Sequence, residues 1–378
     1  MVKGMRTTKN INQDRRVVDM SKDIALLKPE KAPLTVILKR MGTRPASNTI
    51  FNWLEDNLQA RWSKFTGVNE ESPGNTVTVP TGDGLLFAVD DIIKVPRTDE
   101  VMRVTAVTGD TLTVVRGFGE TEAENLNEGD DLLIIGDARI EGGLGAIPVS
   151  TVTATRFNYT QIFKTAVQVS KTQEATELYG GGDRAYQRMK KGIEHMEDIE
   201  RALIFGEKSE HYSAGEVVRT TGGVLSFMAD SPTLEVASPD AFGQEALDEF
   251  LEDVFRYGSQ KKTLFASSRL ITRINEWALG KLQVEIGEQT YGLATTTYVS
   301  PHGILNIVKH PLFEGPYNGM GLIIDPDNVK FRPLKGRDTK LETNIQPNDA
   351  DYYKDQYLTE AGVELKLPKT HAIIKGVK

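Results

Sequence analysis

Between Asp183 and Gly206 apolar residues recur at three- and four-residue steps: Ala185, Met189, Ile193, Met196, Ile199 and Leu203. That spacing stacks them on one stripe of an α-helix. Asp183 offers an N-cap oxygen and Gly206 a C-terminal stop. The helix would have about 23 residues and measure ~34 Å, and a rod of that length needs an apolar surface to lie on. Its polar face is oddly ordered. Arg184, Arg188, Lys190 and Lys191 crowd the first half, and Glu194, Glu197, Asp198 and Glu200 the second. This opposes the helix dipole at a cost of roughly a few tenths of a kcal/mol per terminal charge. A partner of complementary charge would offset the cost, as would i,i+4 pairs on a solvated face.

Just ahead of this helix stands ELYGGGDRAY, Glu177 to Tyr186. Three glycines before a helix suggest a phosphate cradle. However, no Lys-Ser/Thr follows them, and the helix opens with Arg184. Gly180, Gly181 and Gly182 read instead as a hinge that lets the chain bend sharply into the helix. The GGLGA run at 142–146 lacks the full G-x-G-x-x-G spacing and no helical pattern follows it.

From Asn75 to Gly136 the pattern is of short strands separated by turns such as TGD (108–110) and NEGD (127–130). Such spacing predicts a small, strongly bent β-barrel. Its acids, among them Asp90, Asp91, Asp99, Glu100, Asp130 and Asp131, would repel phosphates. Residues 151–170 read as extended, one leg of a long hairpin whose other leg lies near 62–80. Residues 241–330 read as mixed α/β: helices at 245–258 and 268–280, strands at 262–268, 304–313 and 321–334, with further strands at 362–368 and 371–377.

Residues 1–45 hold eleven Lys/Arg and four acids, a balance of +7. The whole chain is −8, so residues 46–378 carry −15. A basic arm on an acidic body either binds nucleic acid or lies across the acidic body of a neighbouring subunit. APLTVILKRMG (32–42) reads as a short apolar helix or strand, and in IFNWLEDNL (50–58) Phe51 and Trp53 offer anchors.

Nothing in the chain assembles a catalytic set. There are no cysteines, which excludes disulfides, thiolate nucleophiles and cysteine-ligated metals. The five histidines show no metal-ligand spacing, and there is no P-loop and no G-x-S-x-G elbow. DPD (325–327) reads as a turn rather than a calcium loop. The expectation is no enzyme, no cofactor and no metal. No apolar run is long enough to cross a bilayer, and the first twenty residues lack the apolar core of a secretory signal, so synthesis in a cytoplasm is expected.

The order of these parts resembles the major capsid proteins of tailed bacteriophages with the Hong Kong 97-type fold, in the subgroup whose extended loop carries an inserted β-barrel. The resemblance is carried by LLKPEKAPLTVILKRMGTRPASNTIFNWLED (26–56), LFAVDDIIKVPRTDEVMRVTAVTGDTLTVVRGFGETEA (86–123), YGGGDRAYQRMKKGIEHMEDIERALIFG (179–206), GLIIDPDNVKFRPLKGR (321–337) and ELKLPKTHAIIKGV (364–377). It implies an α+β fold with an N-terminal arm at 1–48 and an extended loop at 49–175 with the barrel at about 80–137. A peripheral domain would take 176–237, with the spine helix at 183–205, and 321–378; an axial domain would take 238–320. It implies hexamers and pentamers of this chain in an icosahedral shell around double-stranded DNA, held with weak contact. Portal and scaffolding or cement proteins would be partners, with assembly in the host bacterial cytoplasm and no membrane. With no long coiled coil ahead of the arm, scaffolding would come from a separate protein or a removed piece. The expected inter-subunit contacts are Arg15, Arg16, Lys39, Arg40, Phe51, Trp53, Arg184, Arg188, Lys190, Glu197 and Glu200. Two other readings stand beside it: an encapsulin-like nanocompartment shell, and a nucleic-acid-binding protein that uses the basic arm and the barrel.

Overall fold

The computed structural model describes residues 31–56, 58–67, 74–138, 153–176, 183–236, 242–278 and 295–377. Arg15, Arg16, the expected hinge Gly180, Gly181 and Gly182, and the GGLGA run lie outside these residues. The chain divides into two compact units, one built from Met1–Glu55 with Thr155–Lys378, the other from Asp56–Ala154.

The larger unit begins with helix α1 (Pro33–Arg40) and strand β1 (Ile50–Glu55). Pro33 suits the first helical turn, where its missing N–H is no loss. Eight residues cannot hold a helix alone in water. α1 persists because Leu34, Thr35, Val36, Ile37 and Leu38 are all buried against other elements.

The smaller unit holds β2 (Trp62–Lys64), β3 (Thr76–Thr78), β4 (Asp91–Lys94), β5 (Val101–Thr108), β6 (Thr111–Val115) and β7 (Asp131–Asp137). They form one antiparallel sheet in the order β2-β7-β4-β5-β6-β3. Alternation along each strand sends Val77, Ile93, Met102, Val104, Leu112, Val114, Leu132 and Ile134 into a core shared with Phe65. The β5–β6 turn is two residues long, and Gly109 at its first position has φ +60°, which glycine reaches without steric cost. Just past β2, Phe65 donates its N–H to Asp130 (2.8 Å) and Thr66 donates to Thr78 (2.9 Å). The two edge strands of the sheet are thereby tied to each other.

The larger unit resumes with β8 (Ala154–Tyr159), β9 (Gln161–Ser170), α2 (Lys171–Ala175) and α3 (Asp183–Phe205). α3 spans the residues whose periodicity predicts it. β8 pairs with β1 in a two-stranded ribbon, which corrects the expected partner near 62–80. Residues 62–64 and 76–78 hydrogen-bond instead to β7 and β6, and Ser63 and Val77 are buried there.

There follow β10 (Ser209–Ser213), β11 (Glu216–Thr220), β12 (Thr233–Glu235), α4 (Gln244–Phe255), β13 (Lys261–Ala266) and α5 (Ser268–Ala278). Then come β14 (Thr295–Val299), β15 (Ile304–Lys309), β16 (Gly321–Ile324), β17 (Val329–Pro333), β18 (Lys340–Glu342), β19 (Tyr352–Leu365) and β20 (Ala372–Lys375). Six strands form a mixed sheet, β12-β20-β16-β13-β15-β14. Leu247, Leu251 and Val254 of α4 and Leu270 and Ile274 of α5 share its core with Leu264, Leu305 and Ile323. A second sheet is organised by the 14-residue β19, which pairs with β17, β18 and, over ten residues, β9. α3 lies along β9 and β19 and buries Met196, Ile199 and Leu203 in a core shared with Leu34 and Leu38 of α1, Phe331 of β17 and Val363 of β19.

Candidate functional site

Two recesses open on the larger unit. A cavity of about 340 Å³ is bordered by Trp53, Glu55, Arg156, Phe157, Lys208 and Asp230. Arg156 lies 3.8 Å from Glu55 and 3.9 Å from Asp230, Lys208 sits 3.9 Å from the centre of the Phe157 ring, and Glu207 also borders the cavity. A shallower recess of about 680 Å³ runs along the acidic face of α4, with Glu245, Asp248, Glu249, Glu252 and His302. Among the described residues no His/Asp/Glu group has metal-binding geometry, and no helix is long and apolar enough to cross a membrane.

The organised polar chemistry surrounds α3. At its basic end Arg184 donates to both Asp355 oxygens (2.8 and 2.6 Å), and Arg188 donates to Oδ2 (2.8 Å). Asn344 N–H adds a fourth bond at 2.9 Å. Burial alone would raise the Asp355 pKa, but the two guanidinium groups and the Asn344 N–H outweigh it and hold the carboxyl well below the usual carboxylate range. The complementary partner that the basic half-helix requires is therefore supplied inside the chain. At mid-helix His195 lies between two hydroxyls, Thr165 at 2.9 Å and Thr359 at 2.8 Å. Burial, with the charge of Lys39, pushes its pKa down to about 4.

Towards the acidic end Glu200 points inward. Its carboxylate accepts the N–H of Leu34 (2.7 Å) and of Thr35 (2.8 Å), together with the Thr35 hydroxyl. His310 Nε2 lies 2.9 Å from Oε1. The α1 N-cap residue, Ala32, has no side chain able to cap. Glu200 fills that role from a remote element, satisfying orphan donors and placing negative charge at the helix's positive end.

Two further buried hubs fasten the larger unit. Lys262 Nζ donates to the carbonyls of Val254 (2.7 Å), Tyr257 (2.8 Å) and Thr370 (2.6 Å), closing the C-terminus of α4. Asn158 of β8 donates to Thr221, Gly222 and Val363 and accepts from Gly222 and Tyr159.

Of the residues expected at subunit contacts, Lys190 and Arg40 are exposed. Glu197 is partly exposed, 3.2 Å from Arg201 and 3.8 Å from Lys31. Lys39 donates to Thr339 (2.9 Å) and sits over the Phe331 ring. Phe51 and Trp53 pack with Ala46 and Phe227, and Arg332 covers the Phe51 ring. Arg184, Arg188 and Glu200 meet partners within their own chain. Sequence reasoning missed the inward roles of Glu200 and His195, for which a signal existed. Both fall on the stripe of Met196, Ile199 and Leu203, so each is a polar residue set among core positions. At the other end of the helix, Ala185 carries the apolar spacing yet is exposed.

The chain is 24% identical over 375 residues to the major capsid protein of Pseudomonas phage PaMx41, covering 92% of this chain and 89% of that protein. Solved structures that resemble it include one from Mycobacterium phage Bobi, at TM-score 0.45 and 10% identity over 90% of each chain. Another is the holo-SrpI encapsulin of Synechococcus elongatus, at TM-score 0.42 and 12% identity over 60% of this chain and 77% of that one. A profile of the SU10 major capsid protein matches residues 2–378. With a family match along nearly its whole length, the chain belongs to the SU10 major capsid protein family, a structural protein of a phage shell.

Proposed function

We propose that this chain is a Hong Kong 97-type subunit that closes into an icosahedral shell of hexamers and pentamers around double-stranded phage DNA. The single observation that carries the reading is the family match from residue 2 to residue 378. Residues 1–48 would be the arm and 49–175 the extended loop, with the six-stranded sheet of the smaller unit as the inserted barrel. The Thr66–Thr78 bond between its edge strands supports that closure. α3 would be the spine helix of the peripheral domain, and the sheet holding β13–β15 the axial domain. That sheet also recruits β12, β16 and β20, which favours an axial domain wider than 238–320.

The negative body favours loose enclosure of DNA rather than tight binding, because like charge repels phosphate. Lys190, Arg40 and Glu197, being at least partly exposed, are the retained contact residues. Arg15 and Arg16 would act from the arm, and Gly180, Gly181 and Gly182 would form the hinge. Assembly would occur in the host cytoplasm with portal and scaffolding or cement proteins.

Electron microscopy of the purified protein tests the reading. Closed shells are expected, and particles from infected cells should hold nuclease-resistant DNA. Monomers under every assembly condition would overturn it. A co-purifying enzyme in place of DNA would favour a nanocompartment.

A further inference from the structure

Strands β10 and β11 form a hairpin that hydrogen-bonds to no third strand among the described residues. Residues 207–218 are all exposed. The register sets Tyr212 opposite Val217 and Glu210 opposite Arg219 on one face, and His211 opposite Val218 on the other. Tyr212 is 73% exposed, Val217 38% and Val218 37%. A two-stranded hairpin in water is marginal by itself, and a purely solvated one has no need of such residues.

The hairpin is nevertheless firmly founded. Its turn runs through Ala214 (φ 52°) and Gly215 (φ 86°), the paired left-handed conformation whose twist matches that of the strands. At its base Gly223 donates to Gly206 at 2.7 Å, and Thr220 Oγ1 to the Glu207 carbonyl at 2.8 Å. A Cβ at Gly223 would meet the Ile204 carbonyl at 2.6 Å, so the two strands leave the end of α3 through a gap only glycine permits. The result is a hairpin anchored at its base, with the exposed Tyr212–Val217 pair beside its turn.

Its charge indicates the kind of surface it meets. Glu210 and Arg219 neutralise each other at 2.6 Å, which leaves the Tyr212–Val217 face without net charge. Such a face offers no cation to phosphate and suits a protein surface. In a shell built from many copies of one chain, the protein surface available at every position is another copy.

We propose that the β10–β11 hairpin is a contact arm that packs its Tyr212–Val217 face against a neighbouring copy of this chain. The assignment rests on the shell reading. One modest contact repeated over the shell acts through multivalency.

The absence of cysteine makes the test clean. Tyr212→Cys, labelled with a benzophenone maleimide and irradiated in assembled particles, should give covalent dimers. His211→Cys on the opposite face should give far fewer, and dissociated subunits none. The double variant Tyr212→Ser with Val217→Ser should raise the subunit concentration needed for assembly by about tenfold, roughly the loss of one small apolar contact. Its unfolding midpoint as a free subunit should not change, because both side chains are already exposed there. Shells that form at the unchanged concentration and give no dimer adduct would overturn the arm while leaving the shell reading intact. If the parent chain forms no shells at all, the shell reading fails and the arm with it.

Discussion

Glu200 accepts the Leu34 N–H at 2.7 Å across 166 positions of sequence, joining α3 to the N-terminus of α1. Two backbone donors and a hydroxyl converge on this carboxylate. Glu200→Ala would leave them buried and unpaired, at roughly 3–5 kcal/mol in subunit stability. Glu200→Gln keeps one acceptor oxygen and should lose roughly half as much. Urea unfolding of the free subunit measures both. Hydrogen exchange should show the Leu34 and Thr35 amides losing protection before the α3 core does. Equal losses for Ala and Gln would show that the carboxylate is not the cap.

Asp355 gathers Arg184 and Arg188 at one end of the same helix. Asp355→Ala would leave two largely buried guanidinium groups facing each other, at about 3–5 kcal/mol. Arg188→Met alone should cost less, because Arg184 keeps both of its bonds to the carboxylate. A double-mutant cycle over Asp355 and Arg184 should return a coupling of about 1 kcal/mol or more. A coupling near zero would mean that solvent screens the pair.

The extent of α3, the smaller unit's strands after residue 75 and several of the strands after residue 260 were legible from a local period of 3.6 or 2 or from a short apolar run, whereas β2, β14 and β18 were not read as strands of their sheets. Pairing was not legible. β9 finds its partner in β19, where Tyr352 meets Ser170, and nothing near either strand encodes that register. The expected hairpin between 151–170 and 62–80 failed for the same reason: alternation tells a strand which face is inward, not which strand lies beside it. The inward polar groups were partly legible. Asp355 alternates with Tyr353 and Tyr357, and Tyr357 is fully buried, so an acid there breaks the core pattern just as Glu200 does on α3. Its two arginine partners lie on a helix more than 160 positions earlier, and only the packing of α3 on β19 brings them within reach.

Acid should destabilise the free subunit in two separable windows. His195 and His371 are buried, and burial first of all pushes each down to about 4 from 6.5. The unfolded chain therefore takes up protons first as pH falls. Stability is full above about pH 6.5, declines towards pH 4 and is level below that, by about 3 kcal/mol for each histidine. Asp355, held low, has the opposite origin but the same sign. Its contribution is complete above about pH 3.9 and is lost only as pH falls further. His195→Gln should roughly halve the slope of the upper window, because His371 still titrates there, and leave the lower one in place, as read by unfolding free energy against pH. An unchanged slope between pH 6.5 and 4 would mean that His195 is not buried in its neutral form.

Phe51 and Trp53 are 4% and 5% exposed and stack at 6.2 Å, with Phe227 edge-on to the indole. Trp53→Ala should cost about 3–5 kcal/mol, and this loss should appear in the melting of the free subunit. If the free subunit melts normally and only shell yield falls, the ring is completed by a neighbour rather than by Phe227.

Within the smaller unit Glu100 and Arg116 form a buried bidentate pair, 2.7 Å at each oxygen. Glu100 also accepts the N–H groups of Gly117 and Glu124 at 3.1 Å, and Arg116 donates to the Gly74 carbonyl at 3.1 Å. Burial raises the Glu100 pKa, but the guanidinium and these amides lower it by more, so the carboxyl stays below its ordinary value. Arg116→Met strands a buried carboxylate and should destabilise the unit by about 3–5 kcal/mol. Adding Glu100→Leu removes that charge but leaves the two amides without an acceptor, so rescue should be partial, by about 1–2 kcal/mol. Full rescue would mean that the pair is worth no more than an apolar contact and that water reaches the amides. No rescue would mean that the amides, rather than the arginine, are what Glu100 serves. Thermal unfolding of the two variants separates these outcomes, because the double variant then melts with the parent, between the parent and Arg116→Met, or with Arg116→Met.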